Sequence, residues 1–190
     1  MAGGAELRDL VRDARNGDES AWSAIVDRFG GLVWATTRAH RLSQAEAADV
    51  TQTTWLRLVE NLDRIKEPER LGGWLATTAR RECLRHIRLR RRELQVEDES
   101  IFEGPTEESL DRRIIDRERR DALWRAFAGL GERCQGLLRL LSAPESPSYE
   151  EIGAALGMPI GAIGPTRSRC LEKLRRSLEL AEVNYVREDE

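Results

Sequence analysis

Residues 148–178 read "SYEEIGAALGMPIGAIGPTRSRCLEKLRRSL", and their spacing decides what kind of fold the chain can adopt. Ser148 followed by Glu151 is a capping box, the reciprocal pairing that starts a helix. Ile152, Ala155 and Leu156 then share one face, Gly157 permits a sharp turn, and Ile163 re-enters the core six residues later. Gly153, a glycine four residues on and an aliphatic six after that make helix-turn-helix spacing. The second helix carries Arg167, Arg169, Lys173, Arg175 and Arg176, with Cys170, Leu171, Leu174 and Leu178 expected on its buried side. A basic second helix suits a major groove, its leading residues at base edges and its flanking cations on phosphate. An ordinary helical hairpin with a basic face has the same spacing.

Upstream of this motif every periodic segment reads as helix and no strand-like alternation occurs, so the fold class is all-α. Asp18 can cap a helix carrying Trp22, Ile25, Val26 and Phe29, which Gly30-Gly31 is expected to interrupt before Leu32, Val33 and Trp34. Ser43 and Glu46 form a second capping box. Behind it Ala47, Val50, Thr54, Leu58 and Asn61 trace one line, and Val50, Trp55, Leu58, Val59 and Leu62 supply an apolar stripe. Residues 63–70 read as a loop, since Pro68 disfavours helix at Glu67. "LGGWLATTARRECLRHIRLRRRE" (71–93) is an amphipathic helix, with Trp74, Leu75, Thr78, Ala79, Cys83, Leu84 and Ile87 on its apolar back. In the C-terminal part, Ile114, Ile115, Ala122, Leu123, Ala126 and Phe127 face inward on one helix, and Cys134, Leu137, Leu138, Leu140 and Leu141 on the next.

The chain has formal net charge −3, yet residues 78–92 hold seven arginines against one glutamate, and residues 97–111 hold seven acids and no base. Only Lys66 and Lys173 among the 31 basic residues are lysines, a bias that makes arginine numbers uninformative and leaves clustering as the signal. The acidic stretch reads as an exposed linker between two small helical parts. No apolar run approaches a membrane span of roughly 18 residues, and the first twenty residues lack the apolar centre of a signal peptide. A cytoplasmic location and no membrane insertion are therefore expected. Cys83, Cys134 and Cys170 are far apart in sequence, without metal-ligand spacing, so neither a metal nor a disulfide is expected, only buried free thiols. No nucleophile–histidine order or phosphate loop points to an enzyme, and His40 and His86 lie apart among arginines.

Together these blocks resemble bacterial sigma factors of the sigma-70 class, in the short extracytoplasmic-function type that keeps only regions 2 and 4. "AADVTQTTWLRLVENLDRI" looks like region 2.2, with Asp49, Gln52 and Trp55 at the positions of the family's acid, glutamine and aromatic. Residues 71–92 look like regions 2.3 to 2.4, and "SYEEIGAALGMPIGAI" like the region 4.2 helix-turn-helix. The resemblance implies region 2 over 1–92, an acidic flexible linker over 93–113, region 4 over 114–182 and an acidic tail over 183–190. It implies binding to core RNA polymerase through Asp49, Gln52, Trp55, Leu56 and Val59, on the β′ clamp helices, with a further contact to the β subunit. The loop Asp63–Arg70 would receive a base flipped from the −10 element, with Asp63, Arg64 and Lys66 as its DNA contacts. Arg80, Arg81, Arg85 and Arg88 would hold phosphates or the displaced strand. The acidic linker would thread channels of the polymerase that otherwise hold nucleic acid. An anti-sigma factor is a further partner of such proteins; no cofactor is implied.

The pattern departs from the family at three places. Thr53 replaces a second acid after the region 2.2 glutamine, Thr77 and Thr78 stand where housekeeping factors carry a tandem tryptophan, and Gly164-Pro165 interrupts the recognition helix. A proline inside a helix costs about 3 kcal/mol, so a short turn over 159–163 is expected, with the helix proper or a kink from Gly164-Pro165. Readout of the −35 element would then fall to Thr166, Arg167, Ser168 and Arg169, with Lys173 behind them. The competing reading is an operator-binding helix-turn-helix regulator without polymerase contacts, which leaves the Asp49–Trp55 block and the arginine helix unexplained. A protein adaptor docking an acidic partner on that basic helix is a third reading.

Overall fold

Local chemistry starts three of the helices where the sequence places them. The Asp18 carboxylate accepts from the Ser20 and Ala21 amides at 2.8 and 3.2 Å and opens a helix over Glu19–Ala39. Ser43 and Glu46 close their capping box at 3.3 and 2.8 Å, and Ser148 and Glu151 theirs at 3.2 and 2.8 Å. Each box satisfies two amides that the first helical turn leaves without intrahelical partners. The computed structural model describes residues 2–94, 114–143 and 147–188. In chain order they form α1 (Ala2–Arg15), α2 (Glu19–Ala39), α3 (Gln44–Asn61), 3-10 turns at Leu62–Arg64 and Pro68–Arg70, and α4 (Leu71–Leu94). They continue as α5 (Ile114–Ala128), α6 (Glu132–Leu141), α7 (Tyr149–Leu156) and α8 (Ile160–Glu188). No strand occurs among the described residues, and the all-α expectation holds. The expected linker falls mostly on 95–113, outside the described residues.

Two helices run through residues expected to break them. Gly30-Gly31 lies inside α2, because Phe29 before it and Leu32 and Val33 after it are all buried in the core. That burial outweighs a helical cost of about 1 kcal/mol per glycine. Pro165 likewise lies inside α8, which begins at Ile160, so the expected start at Gly164-Pro165 is corrected. The Ala162 amide donates to the Pro159 carbonyl at 2.9 Å, and fully buried Ile163 pins this first turn to the core. Pro165 leaves the Gly161 carbonyl without its usual donor, but Gly161 is exposed and water can serve it.

The two halves do not keep separate cores. One continuous apolar cluster contains Phe29, Leu58, Leu71, Leu75 and Ala79 from α2, α3 and α4 together with Leu137, Leu140, Ile152, Ala155, Met158 and Ile163 from α6, α7 and α8. α4 lies along α7 and α2 along α6. Glycine makes the approach possible on both sides. A Cβ at Gly136 would sit 3.0 Å from the Ala39 carbonyl oxygen, and one at Gly72 would overlap the Glu151 carboxylate. Arg41, with φ 58°, holds the left-handed conformation that ends α2, and it pairs with Glu132 of α6 at 3.4 Å.

Three side chains expected inward face solvent: Val59, Leu123 and Leu171. The cysteine expectation is also corrected. Cys134 and Cys170 form a disulfide joining α6 to α8, while Cys83 is a buried free thiol. A bond closing a loop of 36 residues stabilises by about 4 kcal/mol in the chain-entropy account. It matters here because the cluster around it has only Leu130, Leu138 and Cys170 fully inside. Burial pushes the Cys83 thiol up to about 12. Native, unreduced protein should therefore take up no maleimide, urea-unfolded protein one equivalent and reduced unfolded protein three, counted by intact mass. A shared core makes a second expectation. Ile152→Ala, in a Trp124→Phe background that confines tryptophan to the first half, should lower stability by about 2–5 kcal/mol. Urea titration should move the first-half fluorescence transition, which separate cores would leave in place.

Candidate nucleic-acid and protein interfaces

α3 has two opposite characters. Ala47, Val50, Thr54 and Leu58 are buried, while Asp49, Gln52, Leu56 and Val59 follow one another at spacings of three, four and three along the exposed face. Leu56 and Val59 are 55% and 58% exposed, an apolar pair with a carboxylate and an amide in line. Trp55 does not join them. It turns toward the core, edge-on to Trp22 with ring centroids 6.5 Å apart.

The two 3-10 turns, with the end of α3 and the start of α4, line an open cleft of about 330 Å³ formed by Asn61, Arg64, Ile65, Lys66, Glu67, Arg70 and Trp74. Of the loop residues named from the sequence, Arg64 and Lys66 line it and Asp63 does not. Its volume is at the lower end for small-ligand pockets, enough for one planar base. The loop is fastened from α1: the Arg15 guanidinium donates to the Leu62 carbonyl at 3.1 Å and also to the Ile65 carbonyl. Arg8 pairs with Glu69 at 3.2 Å. Neither tether was legible in the sequence, because both partners lie about fifty residues or more downstream.

On α4, Arg81, Arg85 and Arg88 share one exposed face. Acids of α3 and α4 hold this basic helix. Glu46 receives both His86 and Arg90 at 3.2 Å, and Glu82 lies 3.5 Å from both Arg57 and Arg85. Partial burial opposes the Glu46 charge, but the Ser43 amide and hydroxyl, His86 and Arg90 outweigh it and hold the carboxyl below its usual range. Arg80 is apart from the other arginines. It is half-buried against the α7–α8 turn, where a Cβ on Gly157 would meet its guanidinium at 2.5–2.7 Å.

That turn has the geometry its spacing predicts. Gly157 adopts φ 63°, the Met158 amide donates to the Gly153 carbonyl at 3.0 Å, and a Cβ on Gly153 would lie 2.9 Å from the Met158 carbonyl. Arg167, Ser168, Arg169 and Lys173 are exposed on α8 and Thr166 is half-buried. Arg169 folds back on the Pro165 carbonyl and the Thr166 hydroxyl at 3.3 and 3.4 Å. Arg175 and Arg176 both pair with Glu172 at 2.9 Å, which leaves the start of α8 as its cationic end.

Comparison with known proteins decides the reading. The pattern of the Sigma-70 region 2 family matches residues 25–93, from the middle of α2 to the end of α4. Over 179 residues the chain is 29% identical to the ECF RNA polymerase sigma factor RpoE of Cereibacter sphaeroides, covering 90% of this chain and 93% of that one. It is 30% identical over 166 residues to the ECF RNA polymerase sigma factor SigE of Mycolicibacterium smegmatis, covering 84% of this chain and 63% of that one. The chain belongs to the ECF group of sigma-70 factors. It directs promoter-specific transcription. Two solved structures share this sigma factor's fold. CnrH in complex with the cytosolic domain of CnrY is 20% identical with a TM-score of 0.58, covering 91% of this chain and 97% of that one. RpoE in complex with the anti-sigma factor NepR from Bartonella quintana is 23% identical with a TM-score of 0.59, covering 83% and 96%.

Within this sigma factor the loop tether has a measurable consequence. Arg15→Ala removes both carbonyl contacts, each worth about 1 kcal/mol. Amide exchange over 62–70 should therefore quicken up to roughly thirtyfold, with the α4 core unchanged, read by hydrogen-exchange mass spectrometry.

Proposed function

We propose that this sigma factor binds core RNA polymerase through the exposed α3 stripe, reads and melts the −10 element with the 62–70 loop and α4, and reads the −35 element with α8. The observation that carries the proposal is the Leu56–Val59 pair, exposed beside Asp49 and Gln52 on a helix whose other side is already buried. Exposed apolar pairs next to polar partners mark protein interfaces, and an operator-binding regulator has no use for one beside its DNA surfaces. Cavity size and the flanking cations Arg64, Lys66 and Arg70 support a flipped base in the loop pocket. Asp63 then serves the outer rim, and Trp55 supports the stripe from beneath.

Region 4 is taken to span α5–α8, with Thr166, Arg167, Ser168, Arg169 and Lys173 at the DNA. No helix among the described residues is long and apolar enough to cross a membrane, which supports action in the cytoplasm, where polymerase and promoter are. The role is non-catalytic: the chain supplies positions and charge, and the chemistry is the polymerase's. An anti-sigma factor is a further proposed partner, supported by the likeness in fold to a sigma factor solved with one.

Purified protein mixed with bacterial core RNA polymerase and a genomic DNA library should bind core and give discrete new transcript 5′ ends. Leu56→Glu with Val59→Glu should weaken core binding at least about thirtyfold, since interface anchors are worth about 2 kcal/mol or more, while helicity is retained. Specific DNA binding by the protein alone, with no affinity for core, would establish the operator-binding reading instead.

A further inference from the structure

The first helix carries none of the residues assigned to polymerase or DNA, yet it grips the loop that shapes the cleft. Leu7 and Val11 are buried where α1 packs on α2, and α1 also lies against both 3-10 turns. At its C-terminal end the Arg15 guanidinium reaches two backbone carbonyls, Leu62 at 3.1 Å through Nε and Ile65 through Nη2. These carbonyls bracket the first 3-10 turn, whose own closing bond runs from the Ile65 amide to the Leu62 carbonyl at 3.2 Å. About two turns earlier on α1, Arg8 meets Glu69 of the second 3-10 turn at 3.2 Å.

Arg15 is not among the residues that line the cleft, so it acts on a base only through the loop backbone. Leu62 and Ile65 are buried and seat the turn on the core. A buried side chain fixes where a residue sits, but not which way the peptide plane beside it turns. One planar guanidinium bound to two carbonyls three residues apart fixes both planes. Those peptide units lead into Asp63 and Lys66, so their orientation sets where Arg64 and Lys66, which do line the cleft, place their cations.

We propose that Arg15 is a positioning residue for promoter recognition. By holding the Leu62 and Ile65 carbonyls it preforms the cleft that takes the unpaired base, and so sets how fast the −10 element opens and how sharply its bases are told apart. The inference rests on the promoter-reading function proposed above and assigns part of it to a helix away from the DNA surface. Drawing a base from the stack is costly, and contacts in the pocket must offset that cost. A loop that samples many shapes is competent for only a fraction of the time, and its apparent affinity falls by that fraction. Discrimination falls as well. A site rejects the wrong base by leaving well-placed polar groups without partners, and a mobile wall escapes that penalty by moving.

The test uses the full-length chain with core polymerase and a promoter recovered from the genomic library. A fluorescent adenine analogue in the −10 element reports opening, and titration of the holoenzyme separates initial binding from the opening rate at saturation. Arg15→Ala should leave core binding and initial binding within about twofold and slow opening about tenfold or more, since both carbonyl bonds are lost. On promoters with single substitutions in the −10 element, the ratio of native to substituted opening rates should shrink about fivefold at the captured base. Substitutions in the −35 element should keep their ratios. Arg15→Lys, which retains the charge without the planar fork, should fall between wild type and Arg15→Ala. Arg8→Ala, which breaks an exposed ion pair, should stay near wild type.

A general loss of folded protein lowers every rate by one factor and cancels in the ratio. A fall in core binding or active fraction with the ratio retained therefore overturns the proposal, and so does unchanged opening by Arg15→Ala. If the wild-type protein yields no promoter from the library, the promoter-reading function itself fails and this inference with it, a result reached before any variant is compared.

Discussion

The structure depends on the burial of one apolar surface shared by two helical halves. The first half supplies most of it, with Ile25, Phe29, Leu58, Leu71 and Leu75 among its members, and the second adds Leu137, Leu140, Ile152, Ala155, Met158 and Ile163. Small domains bury a low fraction of their surface and are marginal alone, so pooling two such faces gains stability that neither has. Close packing then limits which residues fit at the boundary. Gly136 sits where a side chain would meet the Ala39 backbone, and Gly72 where one would meet the Glu151 carboxylate, so both helices approach the opposite half closely.

From that packing the outward surfaces follow. With Ala47, Val50, Thr54 and Leu58 facing inward, α3 turns Asp49, Gln52, Leu56 and Val59 to solvent. With Leu75, Ala79 and Cys83 buried, α4 turns Arg81, Arg85 and Arg88 outward, and acids of α3 and α4 hold the helix. A chain of formal charge −3 can in this way present a strongly positive face, because clefts and faces are felt by a polyanion through local charge rather than through the total. The Glu46 carboxylate is the hinge of this arrangement. It caps α3 through Ser43 and orders His86 and Arg90 with its other oxygen, so one residue links a helix start to the orientation of a cationic surface.

What the sequence made legible was chemistry that acts within a few residues. Asp18, the Ser43–Glu46 and Ser148–Glu151 boxes, and Gly157 in its left-handed turn all behave as their local motifs require. The local cost at Gly30-Gly31 and Pro165 is legible in the sequence, whereas the burial of Leu32, Val33 and Ile163 that outweighs it is not. Periodicity marks apolar residues but not their partners, so it does not distinguish Val59, Leu123 and Leu171, which are exposed, from buried neighbours. In the candidate site the α3 stripe and the arginine helix are legible, but no local pattern separates Trp55 from the stripe or Arg80 from the exposed arginines. The Arg15 tether, the Cys134–Cys170 bond and the whole junction join distant residues, and no local pattern announces them. Only Gly72 and Gly136, glycines inside otherwise strong helices, carried a signal of close approach.

Arg80 shows how closely the two halves meet. Its guanidinium lies against Gly157, where a side chain would exclude it, and its face rather than its in-plane N–H edge makes that contact. The cluster of Arg38, Arg41 and Arg139 adds like charge to the same boundary. Such repulsion is tolerable only while apolar burial exceeds it, and separation of the halves relieves it at once. The boundary is thus held by burial and resisted by charge, and burial prevails in the packed arrangement.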